Sequence, residues 1–290
     1  MLFCRTEGLE YRLLGGGANL IIGDGVIPGV VISTERLRRT YRHVPAAYRG
    51  DSLMPEDQRK DETWFEEDLP RLMLPEQEEA PRLVAWAGAS MPGLVHASKQ
   101  LGWTGLEGLA GVPGSIGGGV AMNAGGSWGE LWDVIERVRV INAEGQSVDL
   151  AREDCAPGYR DGGLGDGVVS GVVLRLEVST KREVEERVRD YLKHKQRAQP
   201  VTERSAGCMF RNPDKELSAG KGAGLLIDEV GLKGLQVGGA AVSEKHGNFV
   251  VNRGGATAAD VLALIGQIEA RVADRTGIEL RREVKHWPAE

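Results

Sequence analysis

Apolar and polar positions along the chain follow the two-residue period of strands more often than the helical one. In Ile135 to Ile141, Val138 and Val140 alternate with Arg137 and Arg139, which predicts a strand with one buried face. Asn142-Ala143-Glu144-Gly145 then turns the chain back into Gln146 to Leu150, the chemistry of a hairpin. Leu83 to Gly88 and the longer apolar run Val168 to Val178 predict two further strands. Near the start, short strands are expected at Tyr11 to Leu14, Val26 to Ser33 and Arg36 to Arg42, and Ile21-Ile22-Gly23-Asp24 also has strand character. Towards the end, His246 to Asn252 and Ile278 to Val284 are expected as strands, the latter with Ile278, Leu280 and Val284 opposite Glu279, Arg281 and Glu283. Strands that succeed one another without interleaved helices mean a mainly antiparallel sheet, so the fold class is α+β and not doubly wound.

Helices are marked by their ends. Ser90 caps a helix that runs through Leu101, with Leu94, Val95, Ser98 and Leu101 on one face and Gly102 as the stop. Thr180-x-x-Glu183 is a capping box, and Val184, Val188, Tyr191 and Leu192 follow at helical spacing. That helix ends in Lys193, His194, Lys195 and Arg197, either a solvated cluster that complements the helix carbonyls or a grip for an anion. Ala223 to Gly231 suits a short helix. Thr257 to Thr276 is a long amphipathic one, with Val261, Leu264, Ile265, Ile268 and Val272 inward and Gly277 to end it. No internal repeat is found.

Composition and charge narrow the classes. Residues 43 to 82 are polar and Pro-rich, with acidic clusters and no apolar period, which reads as a mobile surface insertion pinned locally by Trp64 and Phe65. A net charge of -6 argues against a nucleic-acid binder and leaves any anionic substrate to be held by local cations. Cys4, Cys155 and Cys208 have neither disulfide nor metal-ligand spacing, which fits a reducing compartment. No apolar run is long enough to span a membrane, and no secretion signal is recognisable.

The candidate chemistry begins with glycine. Gly108 to Gly129 reads GLAGVPGSIGGGVAMNAGGSWG, a run costly in backbone entropy unless positive φ or close approach of a ligand requires it. A flexible linker would be polar, whereas Val112, Ile116, Val120 and Met122 ask to be buried. The exposed N–H groups of such turns form a nest for phosphate or pyrophosphate. A second cluster, Gly15-Gly16-Gly17-Ala18-Asn19-Leu20, suggests that the ligand is a dinucleotide. Neither cluster is a P-loop, since no Gly-Lys-Ser/Thr follows, and neither is a Rossmann fingerprint.

The segments LLGGGANLIIGDG, GLEGLAGVPGSIGGGVAMNAG, GYRDG and SAGCMFRNP, then AGLLIDEVGLKG, GGAAVSEKHGNFVVN and LRREV, occur in an order that resembles the UDP-N-acetylenolpyruvoylglucosamine reductase family. The resemblance covers most of residues 11 to 285, and several independent motifs in one order make it specific. It implies a two-part FAD-binding domain of the vanillyl-alcohol-oxidase/PCMH type and a C-terminal α+β substrate-binding domain. Residues 1–42 would be the first FAD-binding subdomain, 83–179 the second and 180–285 the substrate domain, whose last strand returns Glu283 to the active site. Few residues precede the first glycine motif, so the opening of that subdomain is expected to be shortened or replaced. No counterpart of the family's tyrosine-bearing loop is seen, which implies the shorter subtype.

The activity implied is NADPH-dependent reduction of UDP-N-acetyl-3-O-(1-carboxyvinyl)-glucosamine to UDP-N-acetylmuramate through FAD, a cytoplasmic step of peptidoglycan synthesis. By the same resemblance Cys208 stands where the family has a serine, or in some members a cysteine, that gives a proton to the substrate carbon. A thiol with an ordinary pKa of about 8.5 is protonated at neutral pH and able to do so. Arg160 and Glu283, bare surface charges by themselves, match the other two catalytic positions. FAD contacts are implied for Gly15, Gly16, Gly17, Ala18, Asn19, Leu20, Ala110, Gly111, Gly114, Ser115, Gly118, Asn123 and Val172. Tyr159, Arg197 and Asn212 are the implied substrate contacts, with Lys193 and Lys195 as competitors of Arg197. The expected partners are the UDP-sugar and NADPH, with no metal, nucleic acid or membrane, and the expected state is a monomer. Two other classes share part of the pattern: another FAD-linked oxidoreductase of the same flavin fold, and a flavin or nucleotide-binding module without catalysis. SAGCMFRNP and LRREV, which belong to the cap that reads the enolpyruvyl sugar, weigh against the former.

Overall fold

The computed structural model describes residues 1–43 and 80–290. Most of the expected insertion at 43–82, with Trp64 and Phe65, lies outside the described residues. Its two ends are strand: Thr40–His43 and Arg82–Trp86 pair with one another, antiparallel. Six α-helices occur among the described residues, α1 (Leu2–Thr6), α2 (Met91–Leu101), α3 (Ile116–Ala121), α4 (Lys181–Ala198), α5 (Ala223–Glu229) and α6 (Ala258–Thr276). The chain divides into two compact units, one made of Met1–Gly16 and Val30–Leu192, the other of Gly17–Gly29 and Lys193–Glu290.

The first unit is built on a five-stranded sheet in the order Ser147–Ala151, Ile135–Ile141, Val168–Arg175, Arg82–Trp86, Thr40–His43. All its neighbours are antiparallel, as the succession of strands predicts. The alternation in Ile135–Ile141 has its expected result: Val138 and Val140 are buried, while Arg139 reaches its cross-strand partner Asp149 at 2.6 Å. Against the buried face lie Leu94, Val95 and Leu101 of α2 and Val184 and Val188 of α4. Helix α2 is closed at both ends as expected, Ser90 Oγ accepting from the Gly93 N–H and Gly102 adopting φ 67°. The capping box of α4 is formed too, with Glu183 N–H donating to Thr180 Oγ1 at 3.2 Å and Thr180 N–H to Glu183 Oε2 at 3.3 Å. Two expected strands are shorter than their apolar pattern. Val26 to Ser33 is strand only at Val30–Ser33, because Gly29 takes φ 85° ahead of it, and Arg36 to Arg42 is strand only from Thr40.

The second unit has a four-stranded antiparallel sheet in the order Ser205–Cys208, Phe249–Asn252, Ala240–Val242, Gln236–Val237. Leu264, Ile265, Ile268 and Val272 of α6 share its core with Met209, Phe210 and Ile227. Helix α6 starts with a capping box between Thr257 and Asp260 and stops at Gly277, φ 72°. Asp24 supplies a second cap, its carboxylate accepting from the N–H groups of Ala258 at 2.8 Å and Ala259 at 3.0 Å. The expected strand Ile278 to Val284 is not formed. That stretch makes an isolated bridge at Phe210 and Arg282, and regular pairing begins only at Lys285–Trp287, which lies parallel to Leu20–Ile22. The consecutive exposed Arg281 and Arg282 break the two-residue alternation there.

Candidate functional site

In the first unit the two glycine segments touch. Gly16 N–H donates to Ser115 Oγ at 3.0 Å, and a Cβ on Gly16 would come within 2.6 Å of Gly114 Cα and 2.7 Å of Ser115 N. A Cβ on Gly15 would meet Ser115 Oγ at 2.6 Å. Only glycine lets two main chains run so close. Gly111 and Gly114 adopt φ 73° and 102°, as the expected turns require. The run is not open turns throughout, however: Ile116 and Val120, one helical turn apart and fully buried, draw its centre into α3. Ser115 sits at the start of that helix and Gly118 on its exposed side. Ala110 is buried, and Val172 is sealed in mid-strand opposite Ala85 and Val138.

The end of the same run meets the Gly158–Gly162 turn. Asn123, buried and left-handed at φ 45°, donates through Nδ2 to Glu130 Oε2 at 2.7 Å and to the Gly158 carbonyl at 3.1 Å. Arg160, also left-handed at φ 56°, donates from Nη2 to the Gly125 carbonyl at 3.2 Å and from Nη1 to that of Asn123 at 3.4 Å. Glu130 Oε1 lies 4.0 Å from Nη1. A non-glycine residue with positive φ is uncommon and costly, and such residues gather at functional sites. The Arg160 guanidinium also lies over the exposed Tyr159 ring, 5.0 Å from its centroid.

In the second unit, Gly17 takes φ 67°, and Ala18 and Asn19 turn the chain into Leu20–Ile22. Asn19 Nδ2 donates to the Glu283 carbonyl at 3.1 Å, and the Glu283 N–H donates to the Met209 carbonyl at 2.8 Å. Cys208, half-buried, precedes Met209 at the end of its strand and is paired with Phe249. A bulge with Gly207 at φ 77° sets its direction. The structure thus draws Asn19, Cys208 and Glu283 onto neighbouring backbone segments. Asn212 Oδ1 accepts from the Ala223 N–H at 3.0 Å, so this implied substrate contact also caps α5.

Of the basic residues ending α4, Lys193 and Arg197 are exposed, whereas Lys195 is only 7% exposed. Burial pushes its ammonium down to about 8, and no carboxylate among the described residues offsets this. Helical spacing alone gave no reason to separate Lys195 from its neighbours. The strand expected over His246 to Asn252 begins only at Phe249, and Asn248, buried in the turn before it, is a residue that sequence reasoning did not single out, since one asparagine carries no periodic signal. Its N–H donates to His246 Nδ1 at 3.1 Å, and burial together with the Lys233 ammonium holds that imidazole below its usual pKa.

A family model described as the C-terminal domain of UDP-N-acetylenolpyruvoylglucosamine reductase matches residues 199–287, and one described as FAD binding domain matches residues 69–151. The UDP-N-acetylenolpyruvoylglucosamine reductase of Deinococcus radiodurans is 38% identical over 283 residues, covering 97% of this chain and 84% of the relative. The chain belongs to the UDP-N-acetylenolpyruvoylglucosamine reductase family. The family's protein from Desulfosudis oleivorans is 36% identical over 290 residues, covering 97% of this chain and 82% of its own length. A crystal structure of UDP-N-acetylenolpyruvylglucosamine reductase from Thermus caldophilus superposes with a TM-score of 0.71 at 34% identity, over 99% of this chain and 88% of that one. The α+β fold read from the strand pattern, with its FAD-binding part ahead of a C-terminal domain, is the fold of this reductase family.

Proposed function

We propose that this chain reduces UDP-N-acetylenolpyruvoylglucosamine to UDP-N-acetylmuramate, with FAD as its cofactor and NADPH as the source of hydride. The carrying observation is the 38% identity over 97% of the chain to a reductase of that name. Gly15 and Gly16 close on Gly114 and Ser115 where any Cβ would collide with main chain or with the Ser115 hydroxyl, which joins the two glycine segments into one cradle, the arrangement a two-part FAD site needs. These residues, with Gly17, Ala18, Asn19, Leu20, Ala110, Gly111, Gly118, Asn123 and Val172, would hold FAD. When bound, the flavin supplies the relay of hydride from the nicotinamide to the methylene carbon of the enolpyruvyl ether.

The chain's own side chains complete the addition. Hydride at the methylene carbon breaks the C=C π bond and leaves an enolate on the carboxylate side. Arg160 would stabilise that charge as a fixed donor, with Glu283 in its protonated form or bridging through a water, fixed donors being usually the largest part of such catalysis. The Cys208 thiol then gives its proton to the adjacent carbon, which closes the balance of one hydride and one proton for one double bond. For the substrate diphosphate we assign Lys195 in preference to Arg197, because a buried ammonium that no carboxylate among the described residues offsets gains most from an anion. Asn212 and Tyr159 remain the other substrate contacts. No helix among the described residues is long and apolar enough to cross a membrane, and the cytoplasm, where NADPH and nucleotide sugars are made, is the proposed location. The proposed state is a monomer.

The test is NADPH oxidation dependent on the enolpyruvyl nucleotide, followed on wild type and Cys208→Ala. Yellow protein bleached by NADPH and reoxidised by the nucleotide is expected, with the alanine variant slowed about 10²-fold or more. Equal rates remove Cys208 from the mechanism, and a colourless protein that FAD does not reconstitute removes the reductase reading.

A further inference from the structure

The backbone that follows Cys208 is gripped from two sides. On one side, Asn248 is 3% exposed and commits both polar atoms of its side chain to one residue. Its Oδ1 accepts from the Phe210 N–H at 2.9 Å, and its Nδ2 donates to the Phe210 carbonyl at 2.7 Å. Its main-chain carbonyl accepts from the Met209 N–H at 2.9 Å. A side-chain amide here continues the pairing that ends at Cys208 and Phe249, in the manner of one more strand residue. On the other side, the Met209 carbonyl accepts from the N–H groups of Glu283 at 2.8 Å and Val284 at 3.3 Å, and Arg211 N–H donates to the Arg281 carbonyl at 2.8 Å. Met209 therefore ties the end of the Cys208 strand directly to Glu283, with Phe210 and Arg211 continuing the contact to Arg282 and Arg281, and Asn248 fixes where Met209 and Phe210 lie.

We propose that Asn248 is a positioning residue: it sets the Cys208 thiol and the Glu283 segment in register with each other for the protonation step. This rests on the reading of Cys208 as the proton donor. Proton transfer needs donor and acceptor within hydrogen-bond reach, so a small shift of Met209 is felt there. Reduction of the flavin by NADPH moves a hydride and not the Cys208 proton, so it is the half-reaction expected to be insensitive to Asn248. Aspartate at 248 would keep the acceptor for the Phe210 N–H but turn a second acceptor onto the Phe210 carbonyl. Serine would be short enough to keep at most one of the two bonds.

The experiment compares wild-type holoenzyme with Asn248→Asp and Asn248→Ser in three readouts: bleaching of the flavin by NADPH alone, its reoxidation by the enolpyruvyl nucleotide in a single turnover, and the pH profile of Cys208 alkylation by iodoacetamide, located by peptide mass. The expected result is an unchanged FAD content and bleaching rate, reoxidation slowed about 10²-fold in the aspartate variant and less in the serine one, and an altered alkylation profile. Should the aspartate variant not fold, the serine variant carries the same comparison. Bleaching and reoxidation falling together, or an alkylation profile identical to wild type, overturns the proposal. A wild-type enzyme that the enolpyruvyl nucleotide does not reoxidise overturns the reductase reading instead, while the alkylation arm still decides the role of Asn248.

Discussion

At Lys195 a single residue carries two opposed effects. Burial holds its ammonium at about 8, whereas the unfolded chain titrates near 10.4. Between those values the unfolded state binds more protons than the native one, so stability rises with pH across that window and the penalty is fully present below it. Lys195→Met should therefore raise the Tm at pH 7 and flatten its pH dependence from about 8 to 10, by calorimetry. It should also raise KM for the UDP-sugar roughly tenfold with kcat little changed, the mark of a lost uniform binding contact. Glu107 behaves oppositely. Burial, at 4% exposure, pushes its carboxyl up, but bonds from the Gly105 N–H, Thr104 hydroxyl and Arg187 guanidinium outweigh it and hold the pKa below 4.5. The stability it contributes is present above about 4.5 and is lost as pH falls through the lower native value. Glu107→Gln should thus melt earlier than wild type at pH 7, and the gap should narrow as the pH falls below about 4.5. A gap that stays constant with pH would deny the carboxylate this role.

Among the elements, those with local signals were legible. Both ends of α2 and α6 were written in Ser90, Gly102, Thr257 and Gly277, because a cap is decided by residues within one turn. The hairpin and the antiparallel sheet followed from alternation and turn chemistry. What the sequence did not reveal is pairing across long separations, as between Leu20–Ile22 and Lys285–Trp287, since no local period records a partner so far away. The closing strand was accordingly placed too early. The candidate site was legible through its motifs alone: a bare reading makes Arg160 and Glu283 ordinary charges, and nothing local distinguishes Asn248. The second cap on α6 is likewise invisible locally, yet it has a measurable size. Asp24→Ala leaves the N–H groups of Ala258 and Ala259 without that carboxylate and should cost about 1 kcal/mol, read from the urea midpoint at unchanged m. An unaltered midpoint would mean that Thr257 suffices as the cap.

For the whole molecule, the proposed cofactor is also a source of stability. A ligand that binds only the native state at a hundred times its Kd adds about 2.7 kcal/mol, so saturating FAD should raise the Tm of flavin-stripped protein. Gly16→Ala should abolish that rise and yield colourless protein. Gly16 is not in the left-handed region, so the loss would come from the Cβ meeting Gly114, and not from backbone strain. An alanine variant that remains yellow would exclude Gly16 from the cradle. The path of the chain between Gly17 and Gly29 has a practical consequence as well. Excising Lys193–Glu290 at its apparent boundary would strip that fragment of the neighbour of its last strand and of the carboxylate over α6. Such a piece should be expressed as a loosely ordered polypeptide, and a synthetic peptide of residues 17–29 added in trans should be the complement that restores its order.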